Sequence, residues 1–179
     1  MRTCHGLTLI ELICTLSVLA ILTSIAVPTF GALRHDTGRT TALNSFLHSL
    51  YLARSEALKR GSMVTLCPSA DAQQCSGRAT EWQRGWIVFA NDDFDSPPQR
   101  DPEESLLLVH AGWSEGAITS NRAFFSLRST TQGVINGTVV FCDPRGGVHA
   151  RALIINNAGR PRLSQLDSSN RPLQCPQDR

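Results

Sequence analysis

Between Gly6 and Pro28 the chain reads GLTLIELICTLSVLAILTSIAVP, an apolar stretch of membrane length with one carboxylate, Glu11, near its start. Leu7 to Val27 is 21 residues. As a helix this segment is ~31 Å long, enough to cross the hydrocarbon core of a bilayer. A carboxylate at the centre of such a span costs about 2.5–3.5 kcal/mol, so Glu11 points to a functional partner rather than to chance.

The six residues before the span, Met1–Gly6, carry one firm positive charge, Arg2, and no small-residue cleavage site follows the apolar run. An ordinary secretory signal is cut after its apolar region. Here the plausible cut lies before it, after Gly6, and leaves the helix on a mature chain that starts at Leu7. The run Gly6, Leu7, Thr8, Leu9, Ile10, Glu11, Leu12 resembles the signal of type IV prepilins and type II secretion pseudopilins. That resemblance implies cleavage after Gly6 by a membrane prepilin peptidase and N-methylation of Leu7. It also implies that Glu11 meets the N-terminus of a neighbouring subunit during assembly. Leu7 departs from the phenylalanine usual in the family, which implies at most slower processing.

The remainder reads as one anchored domain. Pro28 falls where the helix leaves the membrane, and the pattern resumes beyond it, so a kink is expected rather than an end. Leu43, Phe46, Leu47, Leu50, Ala53, Ala57 and Leu58 recur at steps of three and four, an amphipathic stripe facing a core. Gly61 stops the helix. The organisation is thus a leader over 1–6, a membrane helix over 7–28, its amphipathic continuation over 29–60 and a head domain over 61–179.

Beyond Gly61 short runs rich in β-branched, leucine and aromatic residues (MVTLC, GWIVFA, SLLLVHA, AFFSLR, GTVVFC, VHARALII) alternate with turn-forming clusters (NDDFDSPP, QGVING, DPRGG, NNAG). One long helix followed by about six such strands predicts an α+β domain whose antiparallel sheet packs on the helix stripe. The segments EWQRGWIVFAND, PEESLLL, TVVFCDPRG and ALIINNAGRPR resemble the GspH/FimT family of minor pilins and pseudopilins. That family has the type IV pilin fold and is not enzymatic, which implies no cofactor.

Charge is informative only in its distribution. The net value is +2, but from Gly116 onward eight arginines (Arg122, Arg128, Arg145, Arg151, Arg160, Arg162, Arg171, Arg179) face only Asp143, Asp167 and Asp178. Seven acids cluster between Asp92 and Glu115. In that acidic stretch Asn91–Asp95 gathers three carboxylates but lacks the glycine and the distant glutamate of a calcium loop, and reads as a solvated turn. His48, His110 and His149 have no nucleophile indicated nearby, and Trp82, Trp86 and Trp113 read as core aromatics.

Cysteine usage suits an oxidising compartment. Cys4 leaves with the leader and Cys14 reads as a small apolar side chain in the membrane helix. Cys67, Cys75, Cys142 and Cys175 allow three connectivities. We favour Cys67–Cys75, which closes a short polar loop, and Cys142–Cys175, which ties a Pro- and Asn-rich tail to a strand. A zinc site is the competing reading, but no C-x-x-C pair occurs and no histidine lies beside the four.

The strongest candidate for a binding site is Gly159-Arg160-Pro161-Arg162. Residues two apart in an extended segment project to one side, so Arg160 and Arg162 present paired guanidinium groups suited to phosphate. The segment resembles the GRxR motif of DNA-binding FimT-type pilins, with Arg145, Arg151 and Arg171 available to widen the patch. Two functions follow. One is a minor pilin that captures extracellular double-stranded DNA for natural transformation. The other is a tip or priming subunit of a type IV pilus, or a type II secretion pseudopilin, that does not bind DNA. Both imply pilin partners through the N-terminal helix, insertion in the inner membrane with the head in the periplasm, and surface exposure once assembled.

Overall fold

The computed structural model describes residues 8–129 and 136–176. It contains one long helix, α1 (Leu9–Arg60), and eight strands: β1 (Met63–Pro68), β2 (Trp86–Asn91), β3 (Leu106–His110), β4 (Ala117–Ser120), β5 (Phe125–Leu127), β6 (Gly137–Cys142), β7 (Arg151–Ile155) and β8 (Pro161–Ser164). Two compact units divide it, one ending at Thr37 and the other beginning at Gly38.

In the first unit α1 is continuous through Pro28 and displays its apolar side chains, from Leu9 to Leu33, to the surroundings. A helix bare on all sides suits lipid rather than water. Its hydroxyls agree with that setting. Thr15, Ser17, Thr23, Ser24 and Thr29 each donate to a carbonyl three or four residues back, so they carry no unmet polar group into the span.

The second unit is built on the last part of α1. Arg39, Ala42, Leu43, Phe46, Ser49, Leu50, Ala53 and Ala57 are buried and Leu47 is half-buried. Leu58 is the exception to the expected stripe: it is 57% exposed, one position round the helix from fully buried Ala57 and on the side of exposed Tyr51, seven residues earlier. Gly61 takes a left-handed φ of 68° and its N–H donates to the Ala57 carbonyl at 3.0 Å, which caps the helix.

Instead of one sheet, the strands form two four-stranded antiparallel sheets, ordered β3-β2-β1-β5 and β4-β6-β7-β8. Phe46 joins them. Its ring meets Trp86 and Phe125 of the first sheet and Phe141 of the second edge-on, at centroid distances of 5.5, 6.1 and 5.9 Å, and Trp82 at 5.2 Å. Alternation along each strand sends Val64, Leu66, Phe125, Val139, Phe141, Leu153 and Ile155 into this core. On the outer face of the second sheet Cys142, Ala152 and Ile154 are covered by Leu173 and Cys175 of the tail.

Three elements differ from the expected six strands. The run from Val148 to Ile155 is a strand only from Arg151, because Gly147–His149 forms a 3₁₀ turn that brings the chain out of the β6 turn. β4, with Ile118 as its one large apolar residue, and β8, read from sequence only as an extended segment, lie outside the expected set; they pair with β6 and β7.

Candidate functional site

The segment Asn156–Arg160 connects β7 to β8. The Asn156 N–H donates to the Arg160 carbonyl at 3.2 Å and the Gly159 N–H to the Asn156 carbonyl at 2.8 Å. Gly159 is buried with φ 68°, a conformation that only glycine adopts without strain. The Asn156 side-chain oxygen accepts from the backbone N–H groups of Ala158 (3.0 Å) and Arg160 (2.9 Å), fixing the turn by a local side-chain bond. From α1, the Arg54 Nη1 donates to the Ala158 carbonyl at 2.7 Å and ties the tip to the helix.

β8 is the outermost strand of its sheet. Pro161 opens it opposite Ile155 and Arg162 pairs with Ile154. A proline at the start of an edge strand offers no donor to a further strand. Arg160 stands just before β8 as the residue that closes the turn. Both arginines are exposed, and neither guanidinium has a hydrogen bond or an ion pair among the described residues.

The other described arginines of the C-terminal part are engaged, and Arg179 lies outside the described residues. Arg145 is held by Asp143, with Nη2–Oδ2 at 2.7 Å and Nε–Oδ1 at 3.1 Å. Arg171 is held by Asp167 at 2.9 Å, and the Arg171 and Ser169 backbone N–H groups, with the Arg171 guanidinium, keep the Asp167 carboxyl below its ordinary range. Arg151 donates to the carbonyls of His149 and Ala150, and Arg122 to Asn136. Arg128 lies over the Phe94 ring, 5.5 Å from its centroid. Among the described residues, carboxylates thus neutralise Arg145 and Arg171, neutral groups hold Arg122, Arg128 and Arg151, and Arg160 and Arg162 are the two whose guanidinium groups make no hydrogen bond or ion pair.

At the other end of the sequence Thr8 and Glu11 cap α1 reciprocally. The Thr8 N–H and Oγ1 both donate to the Glu11 carboxylate, at 3.1 and 3.0 Å, while the Glu11 N–H donates to Thr8 Oγ1 at 3.3 Å. This is a capping box, with Glu11 three residues after the N-cap.

A family model described as Type II transport protein GspH matches residues 42–159, and one described as the prokaryotic N-terminal methylation motif matches residues 1–27. The chain belongs to the GspH family. Family and fold are those of pilin and pseudopilin subunits, which are structural proteins rather than enzymes. No curated protein matches it. Two crystal structures of the type IV minor pilin FimU from Pseudomonas aeruginosa strain PAO1, in space groups P65 and P21, share 19% identity with it. They superpose with TM-scores of 0.55 and 0.54, covering 76% of this chain and 98% and 93% of theirs. The likeness is one of fold: a long N-terminal helix with antiparallel sheets.

The GspH match ends at Gly159, so Arg160 and Arg162 lie just beyond it. Gly6 and Leu7, where cleavage and N-methylation are expected, lie outside the described residues. Cys67 is bonded to Cys75 and Cys142 to Cys175.

Other candidates are structural in this GspH-family chain. Trp82 and Trp86 are fully buried, Trp86 donating to Ser49 Oγ at 2.8 Å. His110 stacks on Trp86 with centroids 3.9 Å apart, and burial pushes its imidazole down from 6.5. In the acidic loop Asp95 accepts from Asn91 Nδ2 and the Gln99 N–H, and Asp93 from the Asp95 N–H, so these carboxylates serve the loop itself. Buried Glu104 accepts from the backbone of Asp92 and Asp101 and closes the same loop. Its role is invisible in sequence, where it is one acid among seven. Arg54 was missed for a similar reason: its partner, Ala158, is 104 residues away.

Proposed function

We propose that this GspH-family protein is a minor type IV pilin that binds extracellular double-stranded DNA, without sequence preference, for uptake in natural transformation. The observation that carries the reading is the β7–β8 hairpin, which holds Arg160 and Arg162 exposed and, among the described residues, without a side-chain hydrogen bond or ion pair, while Arg145 and Arg171 are held by carboxylates. Guanidinium groups in that state are free to bind phosphate, and contacts confined to phosphate carry no base information. The N-terminal part of α1 anchors the chain in the inner membrane with its head in the periplasm, and assembly carries it to the cell surface. Cleavage after Gly6 by a prepilin peptidase and methylation of Leu7 precede that step, and Glu11 engages a neighbouring subunit.

The test is binding of a labelled duplex to the full chain in neutral detergent, read by fluorescence anisotropy over a salt series. Neutralising two phosphates contributes roughly 2 to the magnitude of the log-log salt slope. Arg160→Ala with Arg162→Ala is therefore expected to lower it by that amount, to leave melting unchanged, and to abolish transformation while pili persist. Equal binding by wild type and double variant would discard the reading.

The second reading is a structural subunit, either a tip or priming minor pilin or a GspH-like pseudopilin of type II secretion. The observation in its favour is that the family match stops before the arginine pair, so membership alone does not require DNA binding.

A further inference from the structure

We propose that Arg54, on α1, is a third phosphate contact of the hairpin site; this rests on the DNA-binding reading above. Arg54 and Ala158 come together from 104 residues apart through the 2.7 Å bond from Nη1 to the Ala158 carbonyl. A carbonyl is neutral, so the bond fixes the guanidinium in place and leaves its charge uncompensated. A guanidinium has five N–H donors, and this is the one hydrogen bond that Arg54 makes with its side chain among the described residues.

The nearest acid along the helix does not answer that charge. Glu56 is two residues on, a spacing that does not face Arg54. Its carboxylate is already taken, Oε2 by Arg60 at 2.9 Å and Oε1 by Lys59 at 3.5 Å. Arg54 is also half-exposed, so the remaining donors are open to a ligand.

Placement matches the proposed ligand. Ala158 is two residues before Arg160, at most ~7 Å along the chain, and phosphates of one strand recur every ~3.4 Å of duplex axis. A backbone that reaches Arg160 at the turn therefore has Arg54 within the span of a few phosphates, whereas Arg162, paired with Ile154, lies on the outer face of the sheet. The helix supplies a rigid base for one cation and the hairpin for two, so ordering them on binding costs little.

The experiment compares salt slopes of duplex binding, measured by anisotropy on the full chain in neutral detergent. Arg54→Gln keeps a donor and removes the charge; it is expected to lower the slope magnitude by about 0.9, while Arg54→Lys leaves it near wild type. The decisive arm places Arg54→Gln in the Arg160→Ala, Arg162→Ala background. A residue that only braces the hairpin has no effect there, whereas a phosphate contact still removes about 0.9. No loss in that arm, with the double variant itself weakened, overturns the Arg54 contact and leaves the hairpin reading standing. Absence of salt-dependent binding by wild type overturns both.

Discussion

Arg39 on α1 and Asp143 after β6, 104 residues apart, form a 2.6 Å ion pair in which the side chains are 6% and 0% exposed. The pair fastens the helix to the second sheet at the turn that carries Arg145, which binds the same carboxylate. Burial alone raises the Asp143 pKa; hydrogen bonds from the Arg145 side chain and backbone, with the charges of Arg145 and Arg39, outweigh it and bring it from 3.8 down to about 2.

Asp143→Asn is therefore expected to destabilise the fold by about 3–5 kcal/mol, because it leaves Arg39 buried without its counter-charge. A depressed acid stabilises the fold above its unfolded pKa and loses that contribution as pH falls through the folded value. The Asp143 contribution is thus complete above 3.8, fades towards about 2, and amounts to roughly 2 kcal/mol. Urea melts of both proteins across that window check it: the gap between them should narrow as pH falls.

Local pattern made α1, its stripe and most strands legible, since apolar period and turn residues are properties of neighbours in sequence. What escaped depends on distant partners. β4 offers one large apolar residue, Ile118, and becomes a strand through β6. The division into two sheets follows from which strand pairs with which, and Phe46 reveals nothing of its four ring contacts in sequence. At the hairpin the GRPR pair was visible as charge spacing. The engagement of Arg145 and Arg171 and the nearness of Arg54 were not, because each needs a folded neighbour.

Removing the Cys142–Cys175 bridge frees a tail held over Ala152 and Ile154. The bridge spans 33 positions, for which loop entropy assigns roughly 3–4 kcal/mol. Cys142→Ser with Cys175→Ser should lower the urea midpoint accordingly and raise binding of an apolar dye, as Leu173 lifts from the sheet.

Gly159→Ala tests the turn independently of charge. At φ 68° an alanine costs about 1 kcal/mol or more, and relief of that strain reshapes the turn that presents Arg160. Stability should fall by that amount in a thermal melt. Duplex affinity should drop with the salt slope retained in part, since both arginines are still present.

Glu11 stands in two roles that one substitution cannot separate. Its carboxylate accepts from both the N–H and Oγ1 of Thr8, a local cap, and it is the group proposed to meet a neighbouring subunit. Glu11→Gln keeps an acceptor for Thr8 and removes the charge; Glu11→Ala removes both. If assembly depends on the charge, both variants should enter the membrane, be cut to an N-methylated Leu7 by mass spectrometry, and be missing from sheared filaments to the same degree. Filament incorporation of Glu11→Gln at wild-type level would assign the residue to the cap alone. A mature chain that retains Met1–Gly6 in cells with active prepilin peptidase would remove the processing step on which the assembly role rests.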